Sequence, residues 1–172
     1  MSMCVDPSAF RSAMARFPGA VTVITALSGS DDGSGKGAER RGITATAVCS
    51  VSADPPSLLV CVNRATGTRA AIHETGRFNV NLLAKPDGLL ALQFAGQGGV
   101  TGEAKFAEGD WISDARGLPR LTSALLCFSC DVIEATEAGS HTVFIGRIVD
   151  IAQGDGEPLL YERSGFQCLA PI

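Results

Sequence analysis

The chain has 172 residues, 45% of them hydrophobic and 19% charged, with a net charge of −4. That length suits one folded domain, and the composition excludes wholesale disorder. The acidic balance excludes broad binding to nucleic acid or anionic lipid, and no apolar run approaches the ~20 residues that span a bilayer.

Met1 to Arg16 lacks the basic-then-apolar order of a secretory signal, so a cytoplasmic protein is expected. Asp6-Pro7 reads as a helix cap followed by proline at the first helical position. Phe10, Ala13, Met14 and Phe17 recur at helical spacing, which predicts an amphipathic helix over 7–17, stopped by Pro18-Gly19. Residues 20–27 are a β-rich run. Residues 28–42, rich in Gly, Ser and charge, are expected to be a loop. Strands are expected at 43–52 and 57–63, joined by a turn at Asp54-Pro55-Pro56.

A short helix should run from Thr66 to Glu74, with Gly76 as its C-terminal cap. Phe78 to Leu83 alternates as a strand, and Asp87 to Phe94 reads as a second short helix. Residues 96–109 read as a loop. Two long strands, 123–134 and 141–151, flank a turn at Glu137–Ser140. A last strand lies at 159–161 or extends through Phe166. Many short strands with few helices, and no regular βαβ alternation, favour an antiparallel barrel.

The six cysteines are Cys4, Cys49, Cys61, Cys127, Cys130 and Cys168. Most lie in apolar runs and read as buried thiols. Cys127 and Cys130 have CxxC spacing, but residues three apart on a strand face opposite ways, so no shared metal is expected. Gly96-Gln-Gly98-Gly has the wrong spacing for a dinucleotide fingerprint and follows a helix, not a strand. Gly35-Lys36 lacks the Ser or Thr of a phosphate-binding loop.

The informative stretch is 41–68. Thr44, Thr46, Ser50 and Ser52 place hydroxyls along apolar strands, and Asn63-Arg64-Ala65-Thr66-Gly67-Thr68 lies where a strand ends and a helix begins. The first turn of a helix carries unpaired N–H groups and partial positive charge, a ready phosphate site. Arg64 can add a charge-assisted bond and Thr66 and Thr68 their hydroxyls. The pattern suits a large, flat, partly polar ligand carrying a phosphate.

Phe10-Arg-Ser-Ala-Met14, Ala20-Val-Thr-Val-Ile-Thr25, residues 42–52, Asp54-Pro-Pro56 and Leu59-Val-Cys-Val-Asn-Arg64 resemble the flavin reductase-like split-barrel family. The nearest likeness is to the small reductase components of two-component flavin monooxygenases, such as that of 4-hydroxyphenylacetate 3-monooxygenase. Gly76-Arg-Phe-Asn-Val-Asn-Leu82, Phe94-Ala-Gly96, Gly139-Ser-His141 and Leu160-Tyr161 continue the match in order. The resemblance implies a homodimer of mostly β subunits with short helices, each a six-stranded antiparallel split barrel. It implies FMN or FAD, and NADH or NADPH as reductant.

Carried over by position, Ile43, Thr44, Ala45 and Thr46 would line the flavin ring, and Cys49, Ser50, Val51 and Ser52 would follow the ribityl chain. Asn63, Arg64, Thr66 and Thr68 would hold the phosphate. Phe94, Lys105 and Phe106 would flank the ring or its tail. His141 would stand at the nicotinamide as the catalytic candidate, with Tyr161 near the dinucleotide. Many relatives have Gly-Asp-His where this chain has Gly139-Ser140-His141, which opens the question of what orients the imidazole.

The resemblance implies an NAD(P)H:flavin oxidoreductase that passes reduced flavin to a separate monooxygenase. Hydride transfer between such cofactors needs orientation more than a protein nucleophile. The alternatives are a flavin carrier or sensor without reductase activity, and a split-barrel oxidase of a small amine such as pyridoxamine phosphate. Arg40 and Arg41 are expected to be solvated, and Trp111 to belong to the core or an interface. The residues do not choose between FMN and FAD, or between NADH and NADPH.

Overall fold

Two residues join strands at opposite edges of the main sheet, and that connection shapes the molecule. The computed structural model describes residues 5–29 and 37–170. The main sheet has seven antiparallel strands: β2 (Thr22–Ser28), β3 (Glu39–Ala45), β4 (Val48–Ala53), β5 (Pro56–Asn63), β6 (Arg77–Leu82), β9 (Leu126–Ala138) and β10 (His141–Gln153). Their order is β3-β2-β6-β9-β10-β5-β4. In a flat sheet the outermost strands would stand roughly 29 Å apart, at about 4.8 Å per neighbour. From Ala45 to Val48 the chain can reach at most about 11 Å. The sheet must therefore roll until its edges approach. It is rolled but not a closed barrel, because β3 and β4 do not pair with each other.

The expected strand 43–52 is thus two strands, broken at Thr46-Ala47, which turns the expected six strands into seven. The expected loop 28–42 is also corrected at both ends: Ser28 belongs to β2 and Glu39–Gly42 to β3, paired Ser28↔Glu39 through Thr25↔Gly42. Residues 30–36 of that expected loop lie outside the described residues.

β2 is buried on both faces. Ile24 and Ala26 join the cluster inside the roll with Val60, Val62, Phe78, Val80, Cys130 and Phe144. Val21 and Val23 join a second cluster outside it, with Leu83, Leu90, Phe94, Phe106 and Leu121. Burial on both sides explains why β2 carries no charged residue. One helix, α2 (Gly67–Thr75), adds Ala71 and Ile72 to the inner cluster, and another, α3 (Gly88–Phe94), adds Leu90, Ala91 and Phe94 to the outer one.

The N-terminal helix α1 (Pro7–Met14) is capped by Asp6, whose carboxylate accepts from the Ser8 and Ala9 amides at 3.0 Å. It ends at Met14 rather than 17: Arg16 and Phe17 donate to carbonyls three residues back, the tight turn that precedes Pro18. The 96–109 loop contains short 3₁₀ turns at Gln97–Gly99 and Gly102–Ala107.

A small hairpin of β7 (Trp111–Ser113) and β8 (Pro119–Leu121), unforeseen in the sequence, is pinned to the sheet by buried polar groups. Thr25 Oγ1 donates to Pro119 O at 2.6 Å, Asn81 Oδ1 accepts from Leu121 N at 3.0 Å, and Asn79 Nδ2 donates to Asp114 Oδ2 at 2.9 Å. The chain closes with a three-stranded sheet of β1 (Gly19–Ala20), β11 (Leu160–Glu162) and β12 (Gly165–Gln167). The turn between the last two strands is made by Arg163 and Ser164 at positive φ.

Gly42 is where β3 meets the outer cluster. A Cβ there would stand 2.5 Å from Phe94 Cε1 and 3.2 Å from Phe106 Cζ. Gly42→Ala is therefore expected to cost roughly 1–3 kcal/mol in a urea titration, the usual cost of overpacking. Gly37→Ala, whose Cβ would meet no atom within 4 Å, is expected to stay within about 0.5 kcal/mol of the parent.

Burial pushes the Cys127 and Cys130 thiols up to about 12. A thiol whose folded pKa exceeds its unfolded value stabilises the native state fully below the unfolded pKa, and that contribution is lost as pH rises through the folded one. The unfolding free energy is expected to fall between the ordinary thiol value of 9.0 and about 12. At neutral pH a thiol reagent should label exposed Cys49 and Cys168, but leave Cys127 and Cys130 unlabelled until denaturant is added.

Candidate functional site

The end of β3 and the break that follows it form the wall of three cavities. Along β3, Ile43 and Ala45 pack against the inner cluster, while Thr44 turns the other way and its Oγ1 donates to Ala91 O of α3 at 2.6 Å. Thr22 Oγ1 donates to Ala45 O at 2.7 Å, fixing the last residue before the break. Thr46 and Ala47 are exposed.

On one side, Ile43–Ala47 meets Cys61, Asn63, His141 and Val143 around about 490 Å³. On another, Thr44–Thr46 meets Ala91, Tyr161 and Phe166 around about 220 Å³. The third cavity, about 390 Å³, lies at the amino end of α2 between Arg41, Ile43, Thr66, Thr68 and Lys105.

α2 begins as its sequence dictates. Thr66 caps it, its Oγ1 accepting from Arg69 N at 3.2 Å, and Gly76 ends it in the left-handed conformation at φ 67°. The Gly67 and Thr68 amides have no partner within the helix and belong to residues lining the third cavity. Gly67 also lets Arg41 cross the helix start, since a Cβ there would sit 3.2 Å from Arg41 Cδ. Arg41 is half-buried and ion-paired to Glu39, so the expectation of a solvated residue is corrected. Arg40 lies 4.7 Å over the Phe106 ring and pairs with Glu103 at 2.5 Å. Lys105 Nζ donates to Phe94 O at 2.9 Å, and burial lowers its pKa from the ordinary lysine value.

The expected phosphate-binding residues separate. Thr66 and Thr68 line the third cavity, while Asn63 and Arg64 line a fourth, of about 470 Å³, with Arg69, Gly139 and Ser140. Asn63 also lines the His141 cavity. His141 stands opposite Asn63 in the β10–β5 ladder and is half-buried. Ser140 Oγ lies 2.9 Å from its Nδ1. The Ser140 hydroxyl thus stands within hydrogen-bond reach of the imidazole.

Phe94 and Phe106 differ from expectation. They are 0% and 5% exposed, packed edge to face at 5.0 Å with Trp111 beside both. They support β3 from beneath Gly42 and present no open ring face to a ligand. Cys49, Ser50, Val51 and Ser52 lie exposed along β4, at the open edge of the sheet and beyond these cavities. Ser52 Oγ serves the turn there, accepting from Asp54 N at 3.1 Å. Tyr161 lines the smallest cavity with its ring 5.7 Å from that of Phe166. Sequence reasoning missed Cys61 and Val143, which reach the His141 cavity through strand register, and Arg69, which reaches the fourth cavity from α2. Among the described residues no group of His, Cys, Asp and Glu could hold a metal ion, and no helix is long and apolar enough to cross a membrane.

Known proteins resemble this chain in sequence and fold. FMN reductase (NADH) RutF of Ancylobacter novellus is 38% identical over 162 residues, 94% of this chain and 84% of that protein. The reductase component of the FADH(2)-dependent resorcinol hydroxylase of a Rhizobium species is 38% identical over 164 residues, 94% of this chain and 87% of that one. The structure of the flavin reductase PheA2 superposes with a TM-score of 0.83 at 32% identity, covering 97% of this chain and all of that one. The family model for the flavin reductase like domain matches residues 14–170, from the end of α1 through β12 and so across every cavity described above; the chain belongs to the flavin reductase family.

Proposed function

We propose that the protein is an NADH:flavin oxidoreductase that binds flavin as an exchangeable substrate and releases it reduced to a separate monooxygenase. The observation that carries this reading is the meeting of three cavities on Ile43–Ala47, with the amino end of α2 on one side and His141 on the other. The names of the Ancylobacter and Rhizobium relatives support NADH as reductant and a hydroxylase as recipient.

A flavin fits the residues present. Its ring would lie against Ile43, Thr44, Ala45 and Thr46, where apolar side chains and strand backbone adjoin. Its phosphate would sit at the Gly67 and Thr68 amides with Arg41, Thr66 and Lys105, because cations and helix dipole converge there. These contacts reach only the ring, the ribityl chain and the first phosphate, which FMN and FAD share, so both should be accepted. The bound flavin supplies the hydride acceptor, and the protein supplies orientation and charge complementarity.

His141, with Ser140 against its Nδ1, lines the cavity it shares with Asn63 and would orient the carboxamide of a nicotinamide ring there. Asn63 adds an amide that can donate or accept beside it. Ala138 and Val143 close the wall around them.

The exposed edge strand β4, with Val51 48% exposed and Ile133, Val149 and Ile151 44–52% exposed on β9 and β10, favours a homodimer. Natural proteins cover such edges and apolar patches.

Anaerobic NADH oxidation by the purified protein is expected to require added flavin, to proceed with FMN and with FAD, and to be slower with NADPH. Flavin binding without bleaching by either nucleotide would remove the reductase reading and favour a carrier. His141→Ala is expected to lower kcat/KM for NADH by about 10- to 100-fold. Ser140→Ala should shift it less and in the same direction. An unchanged KM and turnover in His141→Ala would exclude the imidazole from nicotinamide positioning.

A further inference from the structure

Three charged side chains at the rim of the fourth cavity have no part in the chemistry above. Glu137 bridges two arginines: its Oε2 lies 2.7 Å from Arg64 NH2 and its Oε1 2.8 Å from Arg69 NH2. All three are held from behind. Arg69 Nε donates to Thr142 Oγ1 at 3.1 Å, and Thr142 stands opposite Glu137 in the β9–β10 ladder. Arg64 N donates to Ser140 O at 3.0 Å, tying the start of α2 to the hairpin turn. Arg64 and Arg69 line about 470 Å³ together with Asn63 and Ser140, and Asn63 also belongs to the His141 cavity. The two spaces therefore adjoin, one beside the expected nicotinamide position and one within reach of the remainder of the same ligand.

The chemistry of this rim is selective. Two arginines alone would attract a phosphomonoester dianion. The bridging carboxylate cancels one of their charges and keeps lone pairs free, since it accepts one N–H from Arg69 and pairs with Arg64 at its other oxygen, and a carboxylate offers about four acceptor sites. Those lone pairs suit the hydroxyls of a ribose diol. A 2′-phosphate offers no hydroxyl there and meets like charge, the general basis on which an acidic residue admits NAD and an unpaired arginine admits NADP.

We propose that this cavity receives the adenosine ribose of the dinucleotide, and that Glu137 selects the free 2′-hydroxyl of NADH against the 2′-phosphate of NADPH. The proposal rests on the reductase reading, and its test reads binding without turnover.

Titration calorimetry on the purified chain would use 2′,5′-ADP and 5′-AMP as probes. Glu137→Gln is expected to tighten 2′,5′-ADP about tenfold, equivalent to about 1.4 kcal/mol, and to leave 5′-AMP no tighter than before. Glu137→Asp keeps the charge and should keep the parent's preference. Arg64→Ala added to Glu137→Gln should abolish the gain. In turnover the NADPH-to-NADH ratio of kcat/KM should rise by the same factor in Glu137→Gln. Equal tightening of both probes, no change for 2′,5′-ADP, or no binding of either probe by any variant would overturn the assignment. A parent enzyme that oxidises NADH while Glu137→Gln keeps its preference would reject Glu137 alone. A parent that oxidises neither nucleotide would reject the reductase reading itself.

Discussion

The constraint on which the rest of the structure depends is the link of two residues, Thr46-Ala47, between the edges of a seven-stranded sheet. A connection that short cannot span a flat sheet, so the sheet rolls, and the link is a tight turn in which Val48 N donates to Thr46 O at 3.0 Å. Cys61 N donates to Ala47 O at 3.1 Å, which ties the link to β5 but leaves its outer face exposed. The same turn brings the ends of β3, β5 and β10 together, and with them Ile43, Asn63 and His141. Fold and site are consequences of one closure.

Closure works only because β3 can lie close to the outer cluster. Gly42 leaves room for the Phe94 ring at a distance no Cβ would tolerate, and Thr44 anchors the strand to α3 through Ala91 O. The aromatic trio of Phe94, Phe106 and Trp111 acts from below the strand. It sets where the backbone of 43–46 runs rather than touching what lies on it. The resemblance placed Phe94 and Phe106 beside the ligand, and burial shows that their influence passes through β3.

Local signals carried much of this into the sequence. The start and Gly76 stop of α2, the Pro-Pro turn and a long hairpin whose second strand begins at His141 were legible, because each depends on neighbours a few residues away. The first strand of that hairpin nevertheless runs to Ala138 rather than 134, and its turn shrinks to Gly139-Ser140. The break at 46–47 was not, since Thr-Ala-Thr-Ala-Val-Cys has no turn residue and favours a continuous strand. Only long-range closure interrupts it. The β7–β8 hairpin escaped notice because its three-residue strands show no period; buried Asn79, Asn81 and Thr25 position it. Thr44, Asn63, Thr66, Thr68 and His141, at the ends of elements the sequence already marks, line these cavities. Glu137 escaped because its importance lies in pairing: it meets Arg69 across 68 positions of chain, a contact no pattern in either segment encodes.

The placement of charge follows a rule that bears on how ligands leave. Each cation near the cavities already has an internal acceptor. Arg41 has Glu39, Arg64 and Arg69 share Glu137, and Lys105 donates to the Phe94 carbonyl. An incoming phosphate must compete with these partners, and when it departs no charge is left bare. Arginines without counter-ions would hold the anion harder and leave uncompensated charge in the empty site. The α2 amides are different, since water can replace a phosphate on them at small cost. A site built this way grips through backbone dipoles and steers through balanced side chains. That combination would give moderate affinity and ready exchange, as the proposed handling of flavin as a substrate rather than as a resident group requires.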